Sequence, residues 1–153
     1  MNISIQFLEE ELKGALKARE EIKAGTLRML LSVLRSAEKD KAYRTQEQGL
    51  TTEEVISIVA SEAKKRRESI EAFEKGGRQD LVAKEKAELD ILLPFLPAQL
   101  SEQEIEELVK EAIAATGATT QKEIGKVMAA LAPKVKGRAD GSLVSQKVKE
   151  LLA

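Results

Sequence analysis

The chain contains no cysteine and no histidine. Those two absences together remove the common zinc sites, the Ser-His-Asp and Cys-His nucleophile systems, and histidine acid–base chemistry. Any catalysis is left to carboxylates, lysines, Tyr43 or groups on a bound substrate. Aromatic residues make up only 3% of the chain, which leaves little for base-stacking platforms. The longest uncharged run, Ile91 to Ser101, falls far below the roughly 18 apolar residues of a membrane-spanning helix, so no membrane partner is expected. Glu9-Glu10-Glu11 follow a start with neither a basic segment nor an apolar stretch, so no secretory leader is expected. Without cysteine there is no disulfide, which fits a cytoplasmic location, and that is the compartment expected. There is no glycine-rich phosphate loop and no repeat of solenoid period.

What is present is enough to fold. Apolar residues reach 42% and charged residues 33% of 153 residues, a length that suits one ordinary domain or two small ones. The net charge of -1 excludes a polybasic coat or an acidic tail protein.

Hydrophobic periodicity is helical nearly everywhere. Ile5, Leu8, Leu12, Ala15 and Leu16 predict a first helix over about residues 4–23, with Gly25 as its stop and Thr26 as the next N-cap. Leu27, Leu30, Leu31, Leu34 and Ala37 line a second helix. Thr51 and Glu54 form a capping box that opens a third helix, predicted to bury Val55, Ile56, Val59, Ala63, Ile70 and Phe73 before Gly76-Gly77. A fourth helix runs from about Gln79 to Leu93. Four amphipathic helices with short joints point to a helical bundle. Pro94 and Pro97 then interrupt, and the domain boundary is placed there: a bundle over residues 1–97 and a small helical domain over 98–153. Ser101 with Glu104 and Thr120 with Glu123 read as further capping boxes. They introduce two of three short helices, the second ending before Pro133 and the last starting near Asp140.

Charge is unevenly spread in this second part. Residues 98–116 hold Lys110 against Glu102, Glu104, Glu106, Glu107 and Glu111. Residues 117–153 hold Lys122, Lys126, Lys134, Lys136, Arg138, Lys147 and Lys149 against Glu123, Asp140 and Glu150. A basic face of this kind suits a phosphate backbone, and a solvated surface whose halves neutralise each other is the alternative. The cation-rich turn Lys134-Val-Lys-Gly-Arg-Ala-Asp-Gly141 is the sharpest local feature: it reads either as a phosphate or RNA-terminus site or as an ordinary helix–helix turn. Lys64-Lys-Arg-Arg67 lies mid-helix, where successive side chains point about 100° apart, so it is expected to be a solvated face with i,i+4 partners. Glu85 and Glu88 share a helix face, but a di-iron bundle is impossible without histidine. No catalytic residue, structural metal or cofactor is expected.

The run Lys65-Arg-Arg-Glu-Ser-Ile-Glu-Ala-Phe-Glu-Lys-Gly-Gly-Arg-Gln-Asp-Leu-Val82, then Leu96-Pro97 and Gln99-Leu100, resembles the YqeY family. Leu27-Arg-Met-Leu-Leu-Ser32, Gly125-Lys-Val-Met128 and Lys136-Gly-Arg-Ala-Asp-Gly141 are similar to it too, so the resemblance covers essentially the whole chain. It implies an all-α protein with an N-terminal four-helix portion and a three-helix C-terminal domain similar to the tail of the GatB subunit of glutamine-dependent tRNA amidotransferase. In that enzyme the tail helps engage tRNA. The sequence departs from GatB tails at Asp140-Gly141, where Asn-Pro is usual, and it lacks the acyl-transfer and ATP-using portions. Carbon–nitrogen ligase activity would therefore attach to it by association only. The role so implied is a tRNA-binding accessory with no active site of its own. Lys126, Lys134, Lys136, Arg138 and Lys147 would contact phosphates, and Gly137 would allow close backbone approach. The rival role is a protein–protein adaptor docking on a partner enzyme through Phe95, Leu96 or the apolar linker.

Overall fold

The structure, a computed structural model, describes residues 2–152. It contains seven α-helices and two single turns of 3₁₀ helix, with no strand among the described residues. The chain divides into two compact units, Met1–Leu96 and Pro97–Ala153.

The first unit holds α1 (Ile5–Lys17), α2 (Glu21–Thr45), α3 (Thr52–Lys75) and α4 (Gln79–Leu92). The Ser4 hydroxyl accepts from the Phe7 amide at 3.1 Å and starts α1. The first break lies earlier than the spacing predicts. Helix α1 stops at Lys17, and Gly25 and Thr26 sit inside α2. The stop is made by Arg19, which takes a left-handed φ of 59°. Its amide donates to the Leu16 carbonyl at 3.2 Å, and the Glu20 amide donates to the Ala15 carbonyl at 2.9 Å. Gly77 occupies the same place after α3, with φ of 69° and the matching bonds to Glu74 and Phe73. Burial of Ala24, Thr26 and Leu27 holds α2 helical across Gly25, against a propensity cost of about 1 kcal/mol. A left-handed residue with a Cβ costs roughly 1–2 kcal/mol, whereas glycine carries no such penalty. Replacing exposed Arg19 by glycine is therefore expected to raise stability by about 1 kcal/mol; a lowered thermal midpoint would contradict this account of the break.

The Thr51 capping box forms as the sequence predicts, with Glu54 Oε2 accepting the Thr51 amide at 2.8 Å and the Thr51 hydroxyl accepting the Glu54 amide at 3.1 Å. The same carboxylate receives Lys41 Nζ at 2.9 Å, which ties the start of α3 to α2. The backbone amide of Thr51, then Lys41, hold the Glu54 carboxyl below the ordinary glutamate range.

Leu8, Leu27, Leu30, Leu34, Val55, Val59 and Leu92 form the fully buried centre of this unit. Phe95 and Leu96 join it, with Phe95 edge-on to Phe7 at a centroid distance of 6.3 Å. The proline-interrupted segment is thus core as far as Leu96, and Leu93–Phe95 is one 3₁₀ turn. Some expected core positions lie outside it. Leu16 is 46% exposed, while Ile56, Ile70 and Phe73 are only half-buried.

The second unit holds α5 (Glu102–Thr116), α6 (Ile124–Val135) and α7 (Gly141–Leu151), each packed on the other two. Ile105, Val109, Val127, Leu131, Val144 and Val148 fill its separate core. The Ser101–Glu104 capping box opens α5, and Gly117, with φ of 69°, closes it. Helix α6 runs through Pro133 rather than ending before it. Pro133 and Ala129, whose carbonyl loses its bond, both lie exposed, where water can satisfy that carbonyl. One more turn brings Val135 into the core.

Candidate nucleic-acid interface

The acids among residues 117–152 are largely spoken for. Glu123 Oε2 accepts from the amides of Thr119 at 2.7 Å and Thr120 at 3.2 Å, and these bonds hold its carboxyl below the ordinary range. Asp140 caps α7 by accepting the Ser142 amide at 2.9 Å. Glu150 lies 3.4 Å from Lys147. Helix starts and one groove therefore consume the carboxylates, while several lysines stay in solvent.

The expected phosphate-binding residues do not form one patch. Lys126 sits near the start of α6, exposed and 3.9 Å from Glu123. Lys134, in the last turn of α6, is exposed and 4.0 Å from Glu111. Lys136 follows α6, exposed and with no ion pair among the described residues. At a rise of about 1.5 Å per residue, the 12 residues of α6 span about 18 Å, and Lys126 and Lys134 stand about 12 Å apart along its axis.

Arg138 and Gly137 have structural work. The Arg138 guanidinium donates to the Lys134 carbonyl at 3.3 Å and the Ala98 carbonyl at 3.4 Å. The Arg138 carbonyl accepts the Leu100 amide at 2.8 Å, and the Gly137 carbonyl accepts Gln99 Nε2 at 2.9 Å. The cation-rich turn is thereby laced to Pro97–Leu100. Gly137 is required for its left-handed φ of 73°. Lys147, with a side chain only 19% exposed, lies between Glu102 at 3.7 Å and Glu150 at 3.4 Å. The Glu150 hydrogen bond is the main cause that raises its pKa. A phosphate would have to displace both carboxylates to reach it. Lys122 and Lys149, counted on the basic face but not among the expected phosphate contacts, are exposed and make no ion pair among the described residues.

Beside Lys147 lies a groove of about 320 Å³ lined by Leu100, Glu102, Ile105 and Leu143 among others. Leu143, in α7, is 55% exposed there. Among the described residues there is no cluster of three or more acidic side chains placed to hold a metal ion, and no helix long and apolar enough to cross a membrane.

The run Lys64–Arg67 is not wholly a solvated face. Lys65 is exposed, but the Arg66 side chain is 11% exposed and turns onto α4. Its guanidinium lies 2.9 Å from Glu88, 3.5 Å from Glu85 and 4.0 Å from Glu62. Glu85 and Glu88, which share a face as expected, hold an arginine.

Fold and surface together define a small all-helical protein of two units, the second carrying unpaired lysines. Residues 5–152 match the family model described as Yqey-like protein, and the chain belongs to that family. It is 32% identical over 155 aligned positions to the Pyrenophora tritici-repentis protein named "Altered inheritance of mitochondria protein 41, mitochondrial", covering 99% of this chain and 82% of that protein. Proteins of the same name are similar in Eremothecium gossypii, 32% identical over 62% of this chain and 50% of that protein, and in Saccharomyces cerevisiae, 30% identical over 71% and 57%. The chain thus spans only about half the length of these two relatives. Their names speak of mitochondrial inheritance, not of tRNA or amidotransferase. They also correct the expectation of a cytoplasmic location, since these relatives are mitochondrial by name. A lack of cysteine reports only that no disulfide forms, and it does not tell one compartment from another.

Proposed function

We propose that this YqeY-like protein is a tRNA-binding accessory, related to glutamine-dependent tRNA amidotransferase through the resemblance of its last three helices to the GatB tail, and without a catalytic centre of its own. The observation that carries the reading is the diversion of Glu123 and Asp140 into helix capping, which leaves Lys126, Lys134 and Lys136 exposed with at most distant carboxylate partners. Arg138 and Lys147, held by their own neighbours, act in this reading as positioning groups rather than primary phosphate contacts.

The test is binding of purified full-length protein to total tRNA across a salt series. Each phosphate contact contributes a slope of about −0.7 to −0.9 in log K against log salt. Binding with a summed slope of about −2 or steeper is expected, and no binding at low salt overturns the reading. A second role, as a protein adaptor, is favoured by the groove holding exposed Leu143. Phe95 and Leu96, first expected to serve it, are buried in the core of the first unit and so are not free to dock.

A further inference from the structure

We infer that Lys122, Lys126 and Lys149 form a separate phosphate-backbone contact surface, at the opposite end of α6 from the cation-rich turn. The inference rests on the RNA-binding reading and locates its strongest contact. Gln121 Nε2 donates to the Lys149 carbonyl at 3.1 Å, which pins the turn before α6 against the end of α7. That bond ties the residue before Lys122 to the backbone of Lys149, although 27 positions separate the two lysines in sequence. Lys126 lies four positions after Lys122, in the first turn of α6, which follows the 3₁₀ turn that holds Lys122.

All three lysines are exposed. Among the described residues, the neighbouring carboxylates are those of Glu123 and Glu150, and both are engaged. Glu123 turns its Oε2 onto the Thr119 and Thr120 amides, and its Oε1 is 3.9 Å from Lys126. Glu150 is occupied by Lys147 at 3.4 Å and by the Gln146 amide at 3.4 Å. Lys122 and Lys149 make no ion pair among the described residues. The last carbonyls of α7 carry partial negative charge, which favours cations at this end and helps hold Lys149 there.

The chemistry of the surface decides its partner. Lysine ammonium groups are strongly hydrated point charges suited to phosphate oxygens, whereas bidentate base-edge reading calls for arginine or amide side chains. The second unit contains no aromatic side chain on which a base could stack. The partner that fits is therefore an RNA backbone read without regard to sequence. It would be held by electrostatics at this end of α6 and extended toward Lys134 and Lys136 at the other.

The test compares two full-length variants with the wild type: Lys122→Gln/Lys126→Gln/Lys149→Gln, and Lys134→Gln/Lys136→Gln. Circular dichroism checks helicity, and binding to total tRNA is measured over a salt series. The triple variant is expected to lose roughly 2–3 units of salt slope and at least tenfold in affinity near 0.1 M salt. The double variant is expected to lose less. Wild-type binding that the triple variant retains in full overturns this surface while leaving the RNA reading in place. Absence of wild-type binding overturns both. If vesicles containing anionic lipid bind through the three lysines and tRNA does not, the partner is a membrane surface and the RNA assignment is overturned.

Discussion

Replacing Arg66 with alanine is expected to destabilise the first unit by about 3–5 kcal/mol, as removal of one partner from a buried ion pair does. The guanidinium is 11% exposed and lies within reach of Glu62, Glu85 and Glu88, whose own side chains are mostly buried. Without it, three carboxylates would share a poorly solvated site between α3 and α4, with exposed Lys65, 2.9 Å from Glu62, as their one ion-pair partner among the described residues. Adding Glu88→Gln to the alanine variant should restore part of the loss, because it removes one of the repelling charges. Urea denaturation followed by circular dichroism measures both. A loss below about 1 kcal/mol for Arg66→Ala, a value typical of surface ion pairs, would show that the cluster is effectively solvated.

The second large effect is expected from Leu131→Ala. Leu131 is fully buried at the centre of the second core, among Val109, Val127, Val144 and Val148. Truncating a buried leucine costs about 2–5 kcal/mol, through lost transfer energy and the cavity left behind. A core this small rarely supplies more than about 3–5 kcal/mol in all, so one such cavity consumes most of its stability. Hydrogen exchange should show the amides of α5, α6 and α7 losing nearly all protection, with those of α2 and α3, which pack on a different core, as the internal reference. Protection retained within tenfold of wild type across α5–α7 would mean that the site collapses around the smaller side chain.

Where helix boundaries rest on short-range chemistry, they could be read directly. Thr51 with Glu54, Ser101 with Glu104, and the glycines Gly77 and Gly117 each satisfy free backbone groups within a few residues, so their signals need no tertiary context. The misses arise where the surroundings of a residue, buried or solvent-facing, override its local preference. Arg19 closes α1 in a conformation usually left to glycine, and α2 continues through Gly25, because burying Ala24, Thr26 and Leu27 outweighs local preference. Pro133 is carried inside α6 because its solvent-facing position leaves the orphaned carbonyl open to water. The family, too, was legible from short motifs, and the match over residues 5–152 bears it out.

Charge behaved differently. The excess of lysine and arginine after Gly117 is plain in the order of residues, and so is the all-helical architecture, because helical periodicity and capping are properties of neighbours along the chain. Which charges remain free is a property of neighbours in space. Arg66 looked solvated and is enclosed by carboxylates from α3 and α4. Lys147 and Arg138 looked available, yet one is held between Glu102 and Glu150 and the other spans the carbonyls of Lys134 and Ala98. Lys122 and Lys149, counted on the basic face but not among the expected phosphate contacts, lie in segments that one hydrogen bond from Gln121 to the Lys149 carbonyl ties together. Coulombic and hydrogen-bonding interactions act over a few ångströms, so the packing of helices, and not their spelling, selects the surface a partner would meet.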